Sequence, residues 1–191
     1  MKCPQYAKVE DKQYKINTDF RVAIKCNEIA QDETIGNFER ALAIIYMLFG
    51  EEALNDSKHY EKLLELAKKY LSCGVEIEQN DEEPDMDYVK DMDLIEASFM
   101  SDFHIDLTKE EMDWWKFNKL INGLSNSELG NCCILNRIRN LRNFDTSKIE
   151  NAKEREEIVK AKKYWALDKK EIELTDEQDK NAEEFLKQMG F

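Results

Sequence analysis

The chain has 191 residues, of which 42% are hydrophobic and 36% are charged, so it can bury a core beneath a highly charged surface. Its net charge of −13 disfavours nucleic acids and anionic membranes as partners, because both are polyanions. The 6 glycines and 2 prolines are few, and this scarcity of helix breakers predicts a mainly α fold, a compact bundle of about seven or eight helices.

Cysteine usage predicts a reducing compartment. The 5 cysteines are an odd number without a C-x-x-C pair, and the neighbours Cys132 and Cys133 would diverge on a helix. This pattern is typical of free thiols in the cytosol. Charged residues interrupt the N-terminal region, which argues against a signal segment, and the longest apolar run, residues 41–49, is too short to span a bilayer. We therefore expect a cytoplasmic protein.

The first part of the chain, residues 1–75, predicts an N-terminal helical lobe that opens with a short β-hairpin. Apolar and polar residues alternate from about Ala7 to Ile16, as they do in paired strands. Thr18 is a suitable N-cap for a first helix, and Gly36 breaks that helix.

Two more helices follow in this lobe. Residues 38–49 are apolar almost all the way round a helix, so we expect this second helix at the centre of the bundle. Ser57 begins a third helix with one apolar stripe, and Gly74 is a suitable residue to end it. His59 falls among lysines near the start of that helix and is interpreted as a solvated surface residue.

The acidic residues 76–87, which include Pro84, are interpreted as a linker between two lobes. Residues 88–191 are then a C-terminal helical lobe. Within it, residues 147–165 form a helix that is charged nearly throughout and is expected on the surface. Thr175 begins an amphipathic helix in the charged tail.

An aromatic segment, residues 103–124, carries the strongest structural signal. Thr108 and Glu111 form a capping box, which predicts that a helix begins there. Apolar residues then recur at steps of three and four along one stripe, in which two tryptophans are adjacent. Adjacent residues point about 100° apart on a helix, so we expect one of the two tryptophans to stay partly accessible as an interface residue.

This stripe and the tail helix together predict a partner-binding surface. Its residues are Trp114, Trp115, Phe117, Ile121, Phe185 and Met189. If Trp115 is buried in the core, its replacement by alanine should lower stability by about 3–5 kcal/mol. A loss below about 1 kcal/mol, together with lost binding, would place it at an interface instead.

Carboxylates around the aromatic segment raise an alternative hypothesis, a small helical hydrolase that uses a divalent metal ion. Asp102, Asp106, Glu110 and Glu111 are suitable Mg²⁺ ligands by type, and His104 adds another ligand type. Their spacing across a turn and a helix start gives little reason for convergence, and a helix dipole already favours carboxylates in a first turn. We therefore expect turn and capping roles, with no catalysis, no metal and no cofactor.

Five short segments, spread over most of the chain, share a pattern with one known family. They are Asn17 to Arg21, Asp106-Leu107, Met112 to Phe117, Asn122-Gly123-Leu124 and Lys163 to Leu167. They resemble a bacteriophage family known as gene product fifteen, whose sequences have an INTDFR opening, a GIDL step, an HWWKF helix ending in NGL, and a YAL segment. His104 stands where that family commonly has glycine, and Asp113 replaces the usual residue before the tryptophans.

The resemblance implies a helical protein encoded in a phage tail gene cluster, between the tail-tube and tape-measure proteins. Members of that family are regarded as tail assembly chaperones, which keep the tape-measure protein soluble until the tube forms around it. We therefore expect a non-enzymatic assembly factor in the host-cell cytoplasm that binds the tape-measure protein or another tail component. A phage regulatory protein-binding module fits the same residues, and whether the chain forms a homo-oligomer is left open.

Overall fold

A computed structural model describes residues 2–75, 84–127 and 132–167. Within these ranges one antiparallel hairpin precedes eight α-helices, which confirms the predicted mainly α fold. None of these described helices is long and apolar enough to cross a membrane. The elements are β1 (Tyr6–Val9), β2 (Lys12–Lys15), α1 (Phe20–Gln31), α2 (Asn37–Phe49), α3 (Glu51–Leu54), α4 (Tyr60–Leu71), α5 (Met92–Phe103), α6 (Trp114–Asn122), α7 (Ile134–Asn143) and α8 (Ala152–Tyr164).

The predicted N-terminal hairpin is confirmed. Ala7 of β1 pairs with Tyr14 of β2, and Val9 pairs with Lys12. Side chains alternate between the two faces of a strand, and this alternation buries Ala7, Val9 and Tyr14 on one face. Ile16, which follows the end of β2, is also buried. The apolar face of the hairpin therefore packs on the core.

Helix ends in the N-terminal part lie close to the predicted positions. Asp19 rather than Thr18 caps α1, and its carboxylate accepts the backbone N–H of Arg21 at 2.8 Å. Gly74 follows α4 with a φ of +76°, which confirms it as the residue that ends this helix, since side chains with a Cβ rarely adopt that conformation.

The aromatic helix begins later than predicted. The capping box at Thr108 does not form, because Asp106 accepts both the backbone N–H and the hydroxyl of Thr108 in a separate turn. Asp113 is extended instead and forms an antiparallel bridge with Asp19. The backbone N–H of Trp114 donates to the Thr18 carbonyl at 2.8 Å. Asp113 caps α6 by accepting the backbone N–H of Lys116.

The chain divides into two units, Met1–Asn143 and Phe144–Phe191. In the first unit, one hydrophobic core draws on residues from both sides of the acidic segment 76–87, for example Leu63 and Trp114. Residues 76–83 of that predicted linker lie outside the described part of the chain, and the observed division follows Asn143.

The described part of the second unit is dominated by α8. Asn151 caps this helix and accepts the backbone N–H groups of Lys153 and Glu154. None of the residues of α8 is buried, in agreement with the predicted charged surface helix. The predicted tail helix from Thr175 lies outside the described residues.

Candidate functional site

The aromatic stripe of α6 lies inside the core. Trp114 is 1% exposed and Trp115 is 7% exposed, and both Phe117 and Ile121 are also buried. The prediction that one tryptophan stays partly accessible is therefore wrong. A partner could reach these four side chains only if the core opened, and the other two predicted partner residues, Phe185 and Met189, lie outside the described residues.

Both indoles are buried because α4 supplies an acceptor to each of them. Trp114 Nε1–H donates to the Leu71 carbonyl at 2.9 Å, and Trp115 Nε1–H donates to the Tyr70 carbonyl at 3.0 Å. The last carbonyls of a helix have no partner within the helix, so the end of α4 offers two acceptors side by side. The C-terminus of α4 thus satisfies the polar atoms of two adjacent tryptophans that point in different directions.

Phe117 lies at the centre of a buried aromatic cluster. Its ring stacks on Phe20 of α1 with ring centroids 4.6 Å apart and on Phe99 of α5 at 5.3 Å. Trp114 stacks on it at 5.8 Å. Stacked and edge-on aromatic pairs add to the free energy gained by burial, so this cluster joins three helices and has a structural role.

Two of the four carboxylates proposed as metal ligands accept hydrogen bonds that stabilise the fold. Asp102 accepts the backbone N–H of Ser125 at 2.7 Å. Asp106 bonds to Thr108 and Lys109, and these hydrogen bonds lower its pKa to about 2. Glu110 and Glu111 are exposed. Within residues 2–75, 84–127 and 132–167, no three His, Cys, Asp or Glu side chains are grouped so that they could bind a metal ion.

His104 forms the turn that ends α5. Its φ is +56°, in the left-handed region, and its N–H donates to the Met100 carbonyl at 3.2 Å. Glycine adopts this conformation most easily, so His104 is an uncommon residue at such a helix end. The predicted turn role of His104 is confirmed.

The cysteines described by the structure are free thiols. Burial raises the pKa of Cys26 to about 12 and that of Cys73 to about 11. Burial also raises the pKa of Cys132, which lies next to the buried Cys133. A thiol needs a lowered pKa to act as a nucleophile near neutral pH, so these thiols behave as small apolar side chains.

His59 belongs to a polar cluster that joins the hairpin to the start of α4. Its Nδ1 lies 3.1 Å from both Asp56 Oδ2 and the Tyr14 hydroxyl, and its Nε2 lies 3.4 Å from Glu10 Oε2. The prediction that His59 is a solvated surface residue is wrong, because its side chain is 12% exposed and two of its partners come from 45 and 49 residues away. Burial and the hydrogen bond to Asp56 raise the pKa of Tyr14 to about 12, which makes its hydroxyl a poor acid near neutral pH.

Acid should weaken this cluster. Hydrogen bonds from Lys12 and Tyr14 lower the pKa of Asp56 to about 2, below the value of about 3.9 for an unfolded chain. The stabilisation from Asp56 is therefore complete above about pH 4 and is lost as the pH falls towards 2. In thermal melts, we expect the Tm difference between wild type and Asp56→Asn to shrink from pH 5 to pH 2. The exposed Asp11→Asn should show no such change, and a constant difference for Asp56→Asn would contradict the assignment.

A buried ion pair connects the segment before α5 to α7. Asp91 accepts hydrogen bonds from both terminal nitrogens of Arg142 at 2.7 Å, and the two side chains are 3% and 10% exposed. Arg142 also donates to the Asp85 carbonyl at 2.8 Å, while Arg139 pairs with the Asp85 carboxylate at 3.1 Å. These arginines therefore stabilise the fold from within the first unit.

An apolar surface remains uncovered on α2. Ile45, Leu48 and Phe49 are buried, whereas Phe38 is 67% exposed and Tyr46 is 52% exposed. The prediction that this helix lies at the centre of the bundle is therefore wrong. The helix packs on the core through one face, and the aromatic rings of Phe38 and Tyr46 beside that face are exposed.

The uncovered residues form one line along the helix. Phe38, Leu42 and Tyr46 are spaced by four residues, which places them one turn apart on the same side. Leu42 is half-buried between the two exposed rings. We call these three residues the α2 stripe, and it is the best candidate among the described residues for binding another protein.

Comparison with known proteins identifies a family but no individual relative. A family model described as Bacteriophage Gp15 protein matches residues 3–167, and this range includes the α2 stripe, the aromatic cluster and the turn at His104. No curated protein and no solved structure matches the chain. The resemblance noted in the sequence is thus confirmed over most of its length.

Proposed function

This chain belongs to the Bacteriophage Gp15 protein family, and from that premise we propose that it is a non-enzymatic tail assembly factor. It would act as a chaperone that binds the tape-measure protein, or another tail component, in the host-cell cytoplasm. No cofactor is part of this proposal. The observation that carries it is the α2 stripe, an apolar line with two exposed aromatic rings on a helix whose other side packs on the core.

The α2 stripe suits the packing of another helix. Two helices associate when apolar side chains at steps of three and four interdigitate, and the spacing of Phe38, Leu42 and Tyr46 offers such a row. Exposed aromatic rings contribute strongly to protein interfaces once a partner covers them. The net charge of −13 would keep a complex with an apolar client soluble.

The alternative of a carboxylate hydrolase has less support. Asp106 accepts a backbone N–H in a turn, and Asp102 on α5 accepts the backbone N–H of Ser125, so both have structural roles that need no chemistry. A regulatory protein-binding module could use the same α2 stripe, and only the identity of the client separates it from an assembly factor. We therefore make the client the subject of the test.

Co-expression with the tape-measure protein of the same phage tests the proposal. We expect wild type to keep that protein soluble and to co-purify with it, whereas the double variant Phe38→Ser, Tyr46→Ser should lose at least about 90% of both effects. Because both side chains are exposed, the double variant should unfold within about 1 kcal/mol of wild type. Co-purification and urea unfolding measure the two quantities.

Tyr164→Ser is the matched control, since Tyr164 is an exposed aromatic residue of the other unit. It should leave client solubility unchanged. If the tape-measure protein and the other tail proteins stay insoluble with wild type present, the proposed function is wrong.

A further inference from the structure

We infer that the α2 stripe selects an amphipathic helix whose apolar row is flanked by lysine or arginine. This inference rests on the proposed function and adds the chemistry of the client segment. The occupant is a helix of the client, and its basic flanks would face carboxylates that lie around the stripe.

The charges near α2 in the sequence are mostly negative, and Lys25 on α1 pairs with one of them, Glu28, at 3.0 Å. Residues 28–52, from the end of α1 to α3, contain six carboxylates and one cation, Arg40. Five of the six acidic residues are exposed, and the sixth is half-buried. They are Glu28, Asp32, Glu33, Glu39, Glu51 and Glu52.

The single cation points away from the α2 stripe. At 100° per residue, Arg40 lies about 160° around α2 from Leu42 and about 120° from Tyr46. Its guanidinium donates to the Ala30 carbonyl at 3.4 Å and to Asn37. Glu39 lies in the first turn of α2, about 60° around the helix axis from Leu42. Its carboxylate accepts the N–H of Gly36 at 2.8 Å, which keeps the negative charge at this end of the helix.

This arrangement discriminates between clients by charge. The apolar row provides contact area for any amphipathic helix, but carboxylates at its borders attract basic flanks and repel acidic ones. One exposed ion pair changes an affinity by up to about fivefold, so two pairs should give about a tenfold preference. An acidic helix would meet repulsion at the same positions.

Three designed helical peptides test the inference on the full chain by fluorescence anisotropy. Two share one apolar row and carry either lysine or glutamate at its borders, and the third is a scrambled form of the lysine peptide. We expect the lysine peptide to bind about tenfold more tightly than the glutamate peptide, with an affinity that falls as salt is raised. The scrambled peptide should not bind, because it has the charge without the row.

Two variants assign the effect to residues. Phe38→Ser with Tyr46→Ser should abolish binding of the lysine peptide, whereas Glu51→Gln with Glu52→Gln should weaken it about tenfold and leave the apolar row intact. Tyr164→Ser is again the control and should bind as wild type does.

The outcomes separate this inference from the proposed function. Equal binding of the lysine and glutamate peptides would overturn the charge selection. If the client co-purifies equally well with the Phe38→Ser, Tyr46→Ser variant, the α2 stripe is not its site, and the inference fails while the assembly role survives. If wild type forms a dimer that this variant loses, a second copy occupies the stripe, which also overturns the inference.

Discussion

Replacing Trp115 by alanine is expected to lower the free energy of unfolding by about 3–5 kcal/mol. The indole is buried, packs near Tyr70 with ring centroids 6.4 Å apart, and donates to the Tyr70 carbonyl. Alanine would leave a cavity and would also remove one of the two hydrogen bonds that the Tyr70 carbonyl accepts, the other coming from the Cys73 backbone N–H. Urea unfolding monitored by circular dichroism measures the change.

Two further variants isolate the causes. Trp115→Phe keeps most of the ring but removes the N–H donor, so it should cost about 1–2 kcal/mol. Val89→Ala, at an exposed apolar residue, should stay within about 0.5 kcal/mol of wild type. A loss below 1 kcal/mol for Trp115→Ala would mean that α6 does not pack on α4 as described.

Removing one partner of the buried ion pair should have a comparable effect. Asp91→Ala would leave the Arg142 guanidinium buried without its carboxylate, and breaking such a pair costs about 3–5 kcal/mol. Asp91 also accepts the backbone N–H of Asp87, so the turn before α5 would lose a hydrogen bond as well. Thermal and urea unfolding both report this loss.

The loss of stability on breaking an ion pair should depend on the burial of the pair rather than on its N–O distance. Lys160 and Glu156 on α8 form an exposed pair with a distance of 2.6 Å, and Glu156→Ala should cost at most about 0.5 kcal/mol. Asp91→Leu combined with Arg142→Met should recover part of the loss, because it removes both buried charges together. An equal loss for Asp91→Ala and Glu156→Ala would refute this account.

Local signals in the sequence predicted the elements that depend on neighbouring residues. Alternation of apolar residues predicted the hairpin, because the two strands are joined by a short turn and their pairing is local. Gly74 was predicted to end a helix, since its missing Cβ permits the positive φ that follows α4. The family and the helical class followed from short motifs and from the scarcity of glycine and proline.

The predictions that failed depend on residues far apart in the chain. α6 begins at Trp114 and not just after Thr108, because Asp113 pairs with Asp19. No local sequence pattern indicates this contact between distant residues. The prediction for His59 is wrong for the same reason, since the side chains of Tyr14 and Glu10, which belong to the hairpin, contact its ring nitrogens.

The outcome for α2 has a different cause. A helix that is apolar all the way round predicts burial, but the pattern does not say whether its own chain or another molecule covers it. In this structure, the core covers Ile45 and Leu48 and leaves Phe38 and Tyr46 exposed. The α2 stripe could therefore be identified only from the coordinates. The sequence showed that α2 has more apolar residues than one buried face needs, but not which of them are exposed.

The pairing of Asp19 with Asp113 also bears on how the protein folds during synthesis. Phe20 stacks on Phe117, so the first helix cannot bury its aromatic ring until the ribosome has released nearly 100 further residues. Until then, the nascent chain exposes apolar surface, and we expect chaperones of the host cell to bind it. The proposed assembly factor would then itself depend on chaperones during its own synthesis.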